Sequence, residues 1–386
     1  MAILTLNAGS SSLKFAVFSR DGRARRLSGH VDGVGRDAAR ITVKRKGEPD
    51  ETRTLRRGGS HEGALEAALE IAGEAAGETV HAVGHRIVHG GAEFERPAAI
   101  TSEVEAALER LVPLAPLHQP HNLEAVRTAR RAFPGAAQIA CFDTAFHRSH
   151  PFTADAFALP RRYYDQGVRR YGFHGLSYEF LTARLAELEG GAPVRAVIAH
   201  LGSGASLCAV KDGTSCDTSM GFSALDGLPM ATRCGQIDPG VLLYLIAEQR
   251  YDAEALTDLL YKESGLKGLS GTSGDMREVE AGESEDARQA FDYFVHRCRR
   301  EIAALCASLQ GLDALVFSAG IGEHSPGVRA AVCEGLGWLG VRLDPEANAA
   351  AKNEAALIST AGSAVRVWVI PTDEEQVIAE AAATFV

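Results

Sequence analysis

Nowhere in this chain do apolar residues run on for the ~18 positions that a membrane-spanning helix requires. The opening MAILTLNAG enters a strand pattern directly, with neither the basic nor the apolar segment of a secretory signal. Positive charge is scarce as well: 40 lysines and arginines face 50 aspartates and glutamates, a net charge of −10 with a pI near 5.7. That balance argues against general binding to nucleic acid or to a membrane surface. The chain is locally basic only between Arg23 and Arg57, where ITVKRKG and TRTLRR alternate around a GEPDE turn, as in a hairpin with one solvated face. The seven cysteines are odd in number and contain no CxxC pair, which disfavours a disulfide framework or a zinc site. They fit a reducing compartment, and the expectation is a soluble cytoplasmic protein.

Several catalytic signatures are missing too. There is no GxxxxGK[ST] phosphate loop, no full GxGxxG at Gly202 or Gly320, no HRD or DFG set and no GxSxG elbow. His85/His89, His118/His121 and His147/His150 have metal-ligand spacing, but no local carboxylate or cysteine completes a zinc set.

What is present is glycine, set in turns between apolar runs. A chain of 386 residues with 46% hydrophobic residues and 40 glycines reads as a two-domain α/β protein. From Ile3 to Val17, ILTLNAGSSSLKFAV predicts a strand, a polar turn and a returning strand. Asn7, Gly9 and Ser10–Ser12 place small donors where a backbone can close around an anion, with Lys14 one step beyond. The pattern returns at 196–210 as AVIAHLGSGASLCAV, and a third apolar strand with a glycine turn follows at 314–325, ALVFSAGIGEHS. Two such units in the two halves suggest a duplicated fold with a phosphate held between them.

Between these units, helices are expected at 61–76, 102–111, 122–133, 176–188, 241–249 and 253–262, and strands at 82–91 and 138–141. Residues 217–240 read as a long glycine-punctuated loop and GLKGLSGTSGDMR as another glycine-rich turn. Apolar residues spaced by three and four over 286–309 predict a long amphipathic helix, packed on a sheet or open to a dimer contact. A strand at 365–370 precedes PTDEEQ, which caps a terminal helix returning to the first domain. The domains are therefore drawn as 1–150 with about 374–386, and 151–373.

Nine stretches, in order, resemble the acetate kinase family: NAGSSSLKF, VGHRIVHGG, PLHQPHN, FDTAFH, RRYGFHGLS, HLGSGASL, DTSMGFSALDGLPMATRCGQIDPG, SAGIGEHS and PTDEE. The resemblance covers nearly the whole chain. It implies the duplicated actin-like (ribonuclease H-like) ATPase fold, two domains with a central cleft, shared with sugar kinases and the heat-shock chaperone ATPase. It also implies reversible transfer of the γ-phosphoryl of ATP to acetate with Mg²⁺, or Mn²⁺ in its place, in a homodimer.

By that resemblance Arg86 and Arg233 bind the acetate carboxylate and the transferring phosphoryl, while His174 hydrogen-bonds its equatorial oxygens. Asp143 holds a metal-bound water or orients the carboxylate, although alone it reads equally as a helix N-cap. Glu374 is the metal position with Asn7 beside it, and Glu375 is the neighbouring candidate. The nucleotide falls to Lys14, His200-Leu201-Gly202-Ser203-Gly204, Asp275-Met276-Arg277 and Gly320-Ile321-Gly322-Glu323-His324. Val88, Leu117, Phe173 and Ala224 line the acetate pocket.

The chemistry supports such a set. A small carboxylate is already anionic at neutral pH and needs no general base, so the obstacle is bringing it up to another anion. Paired guanidiniums suit that task because each fork meets two oxygens at once. Departures from the family pattern are Ala224 for proline, Ser203 for Asn, Ala205 for Ser, Ala231 for Gly and His324 for Asn. The first widens the acyl pocket and predicts tolerance of propionate. Two other readings stay open: a propionate or butyrate kinase of the same superfamily, and an ATPase switch like actin or the chaperone.

Overall fold

A computed structural model describes every residue except 1, 10–11, 35–38, 56–59, 78 and 193. Ser10 and Ser11 of the first polar turn, and the Arg56–Arg57 end of the basic stretch, thus lie outside the described residues. The chain divides into two compact units, Met1–Phe146 with Asp373–Val386, and His147–Thr372.

The first unit carries β1 (Ala2–Ala8), β2 (Ser12–Ser19), β3 (Arg25–Asp32), β4 (Arg40–Arg45), β5 (Glu51–Thr54), β6 (Val80–Ile87), β7 (Ala98–Ala99) and β8 (Ala137–Phe142). They form one sheet in the order β5-β4-β3-β2-β1-β6-β8-β7. β1 and β2 are antiparallel with Asn7 opposite Lys14, and β6 and β8 follow in parallel. β1 is buried from Ala2 to Asn7, the signature of a central strand covered on both faces. Leu4 and Leu6 share a core with the helices His61–Ala76 and Gln119–Ala132. The first of these starts where Ser60 accepts the Gly63 N–H and stops at Gly77 in the left-handed region. The terminal helix Glu374–Ala383, capped by Asp373, packs on β1 and β6, as the sequence suggested. It comes so close that a Cβ on Gly84 would lie 2.5 Å from Ile378 Cγ2.

The second unit carries β9 (Arg195–Leu201), β10 (Ala205–Lys211), β11 (Thr214–Thr218), β12 (Ala314–Ser318), β13 (Ala356–Leu357) and β14 (Arg366–Val369), in the order β11-β10-β9-β12-β14-β13. Its first five strands repeat the core of the other sheet. β9 pairs antiparallel with β10, β10 antiparallel with β11, and β12 and β14 join β9 in parallel. The same pattern runs through β3-β2-β1-β6-β8, so the internal repeat read from two glycine turns extends to both sheets.

The structure corrects two glycine turns. After β12 the chain enters a short helix, Ala319–His324, instead of a loop. Ala319 takes the left-handed region at φ 63°, and the Glu323 carboxylate accepts its N–H at 2.8 Å, closing the turn from within. Likewise Gly265–Ser270 in GLKGLSGTSGDMR is helical. The long helix Glu285–Leu309 buries Phe294, Val295, Cys298, Ile302, Leu305 and Leu309 within its own unit. Residues 219–238 stay irregular, between β11 and a helix at Pro239–Ala247.

Candidate active site

In the first unit, the ends of β1, β6 and β8 and the start of the terminal helix bring four predicted residues together. Arg86, near the end of β6, donates from Nε to Asp143 Oδ1 and Oδ2 at 2.9 and 3.0 Å and from Nη2 to Oδ2 at 2.5 Å. Its Nη1 donates to Asn7 Oδ1 at 3.0 Å, and Asn7 Nδ2 donates to Glu374 Oε2 at 3.0 Å. Burial works against the Arg86 charge, but Asp143 first and Glu374 next outweigh it and raise the guanidinium's pKa. Asp143, just past β8 and 1% exposed, is thus the partner of Arg86, a role the sequence reading had not assigned. Glu375 is adjacent, with a buried Oε1 that has no hydrogen-bond partner among the described residues. Burial pushes its carboxyl pKa up, Lys14 opposes, and Glu374 and Asp373 push the same way as burial.

In the second unit, the β9–β10 turn forms the centre. His174 caps the helix Gly175–Leu188 from the left-handed region, at φ 60°. Its Nδ1 lies 2.8 Å from Ser206 Oγ on β10, and its ring stacks on His200 at 4.2 Å between centroids. Arg233 donates from Nη1 to the Ala224 carbonyl at 3.2 Å. Both meet at Gly204, where a Cβ would lie 3.4 Å from His174 Nε2 and 3.9 Å from Arg233 Nη1. A guanidinium and an imidazole nitrogen thus converge on a backbone bare of side chain.

Beside that turn is a cavity of about 610 Å³. Of the residues expected to carry nucleotide, Gly202, Ser203, Asp275, Met276, Arg277, Gly320, Ile321 and His324 line it. Six others do not. Lys14 belongs to the first unit, on β2. His200 and Leu201 are within β9, and Gly204 faces His174 and Arg233. Gly322 gives its carbonyl to the buried Arg329, and Glu323 holds the N–H groups of Ala319 and Thr372. The cavity also takes in Ala231, Gly274, Glu280 and Ser325. Of these, the sequence reading singled out only Ala231, as a departure. Position was the available signal for the rest: Gly274 precedes Asp275, Ser325 follows His324, and Glu280 lies one helical turn beyond Met276.

Of the residues expected to line an acyl pocket, Val88 and Leu117 are in the first unit and Phe173 and Ala224 in the second. Val88 and Phe173 are buried, Leu117 and Ala224 half-buried. The histidine pairs are otherwise engaged: His121 stacks on His61, and His147 and His150 share Ser215. Among the described residues no group of three or more histidine, cysteine or acidic side chains could by itself hold a metal.

Residues 2–380 match the sequence profile of the Acetokinase family. The chain belongs to that family. An acetate kinase of Methylocella silvestris is 52% identical over 98% of this chain and 96% of its own length, and one of Nitrobacter hamburgensis is 50% identical over 98% and 95%. Among solved structures, Porphyromonas gingivalis acetate kinase superposes with a TM-score of 0.89 at 35% identity over 99% of each chain. A propionate kinase from Francisella tularensis superposes with a TM-score of 0.92 at 34% identity over 100% of each. The two repeated sheets are accordingly those of the actin-like ATPase fold, and this acetokinase-family chain is a phosphotransferase with a carboxylate as acceptor.

Proposed function

We propose that the protein catalyses reversible, direct in-line transfer of the γ-phosphoryl of ATP to acetate, giving acetyl phosphate and ADP. The observation that carries the residue assignment is the meeting of His174 Nε2 and Arg233 Nη1 at Gly204, beside the nucleotide-sized cavity. In such a transfer there is little covalent work for the protein, so positioning and charge stabilisation dominate. The Gly202–Gly204 turn lets the β- and γ-phosphates approach backbone closely. Arg233 and His174 Nε2 stabilise the equatorial oxygens as charge builds on them. Arg86, held by Asp143 and Asn7, meets the incoming carboxylate or its phosphorylated product.

The donor set of the first unit fits magnesium. Glu374, Asn7 and Glu375 are hard oxygen donors, and the partnerless Glu375 Oε1 is a buried acceptor awaiting a cation or proton. One or two carboxylates with waters and phosphate is the usual magnesium arrangement, which agrees with the lack of a three-residue cage among the described residues. When bound there, the ion neutralises charge on the phosphate oxygens. Manganese is the alternative ion.

Propionate is proposed as a second acceptor. Ala224 stands where the family commonly has proline, and the Francisella relative carries the name propionate kinase. A homodimer is also proposed. The long helix's stripe is covered within its own unit, whereas Leu243, Tyr244 and Ile246 of helix Pro239–Ala247 are 67%, 55% and 49% exposed, an apolar face that a second copy would cover. No helix among the described residues is long and apolar enough to cross a membrane, and the proposed location is the cytoplasm, where free cysteines persist.

Trapping acyl phosphate as its hydroxamate, with ATP, Mg²⁺ and acetate, tests the reaction. Arg233→Ala should fold normally and lose about 10²–10³ in kcat. ATP hydrolysis without hydroxamate would instead support a switch-like ATPase, and near-normal turnover in Arg233→Ala would remove that side chain from the mechanism.

A further inference from the structure

Immediately before His174, the segment 170–173 is gripped by two side chains from a distant part of the second unit. Arg148 donates from Nη2 to the carbonyls of Arg170 and Tyr171, both at 3.1 Å. His147 Nε2 lies 3.0 Å from the Phe173 carbonyl. Between them, Gly172 has a φ of 71°, and a Cβ there would come within 2.6 Å of His147 Cδ2, so the chain rests directly on the imidazole face. The residue after Phe173 is His174, itself in the left-handed region that a non-glycine side chain rarely adopts. Such backbone persists only where its surroundings over-determine it.

The proton positions in this network can be worked out. A carbonyl only accepts, so the proton shared with Phe173 sits on His147 Nε2. Burial, and after it the nearby His150, lowers the His147 pKa to about 3, so the ring is neutral and Nδ1 is an acceptor. Ser215 Oγ, 2.9 Å away, must then donate its hydrogen to Nδ1. With that hydrogen committed, the serine oxygen accepts from His150 Nε2 at 2.8 Å, and the Cys208 sulfur lies 3.2 Å from it. His150 is therefore the Nε2–H tautomer with a bare Nδ1, in agreement with His150 Nδ1 being buried and without a partner. Every donor points one way, from His150 through Ser215 and His147 to the backbone that leads into His174.

We propose that His147 is a positioning residue for phosphoryl transfer: with its ring held at Nδ1 by Ser215, it fixes the Phe173 carbonyl and so the left-handed His174 whose Nε2 borders Gly204. This rests on the assignment of His174 to the transferring phosphoryl. His147 itself is fully buried. Because a misplacement of about 1 Å can cost about 10²-fold in rate, the effect falls on the chemical step and not on ground-state binding.

The test compares His147→Leu with His147→Gln, whose amide can donate to Phe173 and accept from Ser215 as the neutral ring does. In His147→Leu kcat should fall by about 10- to 100-fold with KM for ATP and acetate within about two-fold, and His147→Gln should restore most of it. Should the leucine variant not fold, Ser215→Ala, which removes the partner that holds the ring at Nδ1, should lower kcat in the same selective way. Full kcat in the folded leucine or Ser215→Ala variant, or an equal loss in leucine and glutamine variants with KM rising alongside, would overturn the proposal. His174→Ala is run in parallel: full activity there would overturn the assignment of His174, whereas an inactive His174→Ala beside an unaffected His147→Leu would overturn only the positioning role.

Discussion

Replacing Asp143 by asparagine should disarm Arg86 while leaving its guanidinium in place. The carboxylate is 1% exposed and takes three N–H contacts from Arg86, at 2.9, 3.0 and 2.5 Å. An amide offers one acceptor oxygen and turns an NH₂ toward the remaining donors, so at least one charged hydrogen bond is lost and a donor faces a donor. Breaking a buried pair from one side typically costs about 3–5 kcal/mol. Arg86 retains Glu374 and Glu375 as nearby anions and its side chain is 20% exposed, so the lower end, about 3 kcal/mol, is expected. The activity loss should be about 10²–10³ in kcat, that of a misaimed charge stabiliser. Urea unfolding measures the first quantity and hydroxamate initial rates the second. The cycle is completed by Arg86→Ala and by the double variant. If Asp143 acts only through Arg86, adding Asp143→Asn to Arg86→Ala should change kcat by less than about two-fold. Multiplicative losses in the double variant would instead give Asp143 a separate contact with metal or substrate.

Three further expectations follow from local geometry. Gly204→Ala places a methyl 3.4 Å from His174 Nε2, an ordinary contact that the fold accepts, so thermal stability should hold while kcat falls about ten-fold or more, and an unchanged kcat would show that no phosphate oxygen uses that space. Ala224→Pro should restore a wall of the acyl pocket and lower the propionate-to-acetate ratio of kcat/KM by about ten-fold, about 1–2 kcal/mol for a methylene, and an unchanged ratio from formate to butyrate would show the position irrelevant. Glu375→Gln concerns pH. The folded-state pKa of Glu375 is raised above its ordinary 4.5, chiefly by burial, so the metal-free fold binds a proton the unfolded chain has released and loses stability as pH climbs through that window. The glutamine variant should therefore gain in melting temperature over wild type at neutral pH, with the gain vanishing below about pH 4.5, and a pH-independent difference would contradict a raised Glu375 pKa.

Much of the fold could be read along the chain because strands and helices announce themselves in local periodicity. The helix expected at 61–76 spans those residues, and the alternation in ILTLNAGSSSLKFAV and AVIAHLGSGASLCAV located both central hairpins. Where glycines abound the local signal is ambiguous. SAGIGEHS and GLKGLSGTSGDMR looked like turns, yet both contain helix, the first because the Glu323 carboxylate satisfies the N–H at Ala319 from four residues away. The eight residues that line the cavity from among those expected lie in three short stretches, and each stretch was visible as a motif.

Sequence by itself therefore determined the repeated strand order's building blocks, the family, and the residue types available for handling two anions, since these depend on composition and near-neighbour spacing. Only tertiary structure decided which carboxylate faces which cation. Asp143 became the partner of Arg86, 57 positions away, and Glu375 was left with a buried, partnerless oxygen while Glu374 bonded Asn7. The same holds for His147, whose Nδ1 partner is Ser215, 68 positions along the chain. Charge and hydrogen-bond partners are chosen by distance in space, and spacing along the backbone carries no record of them.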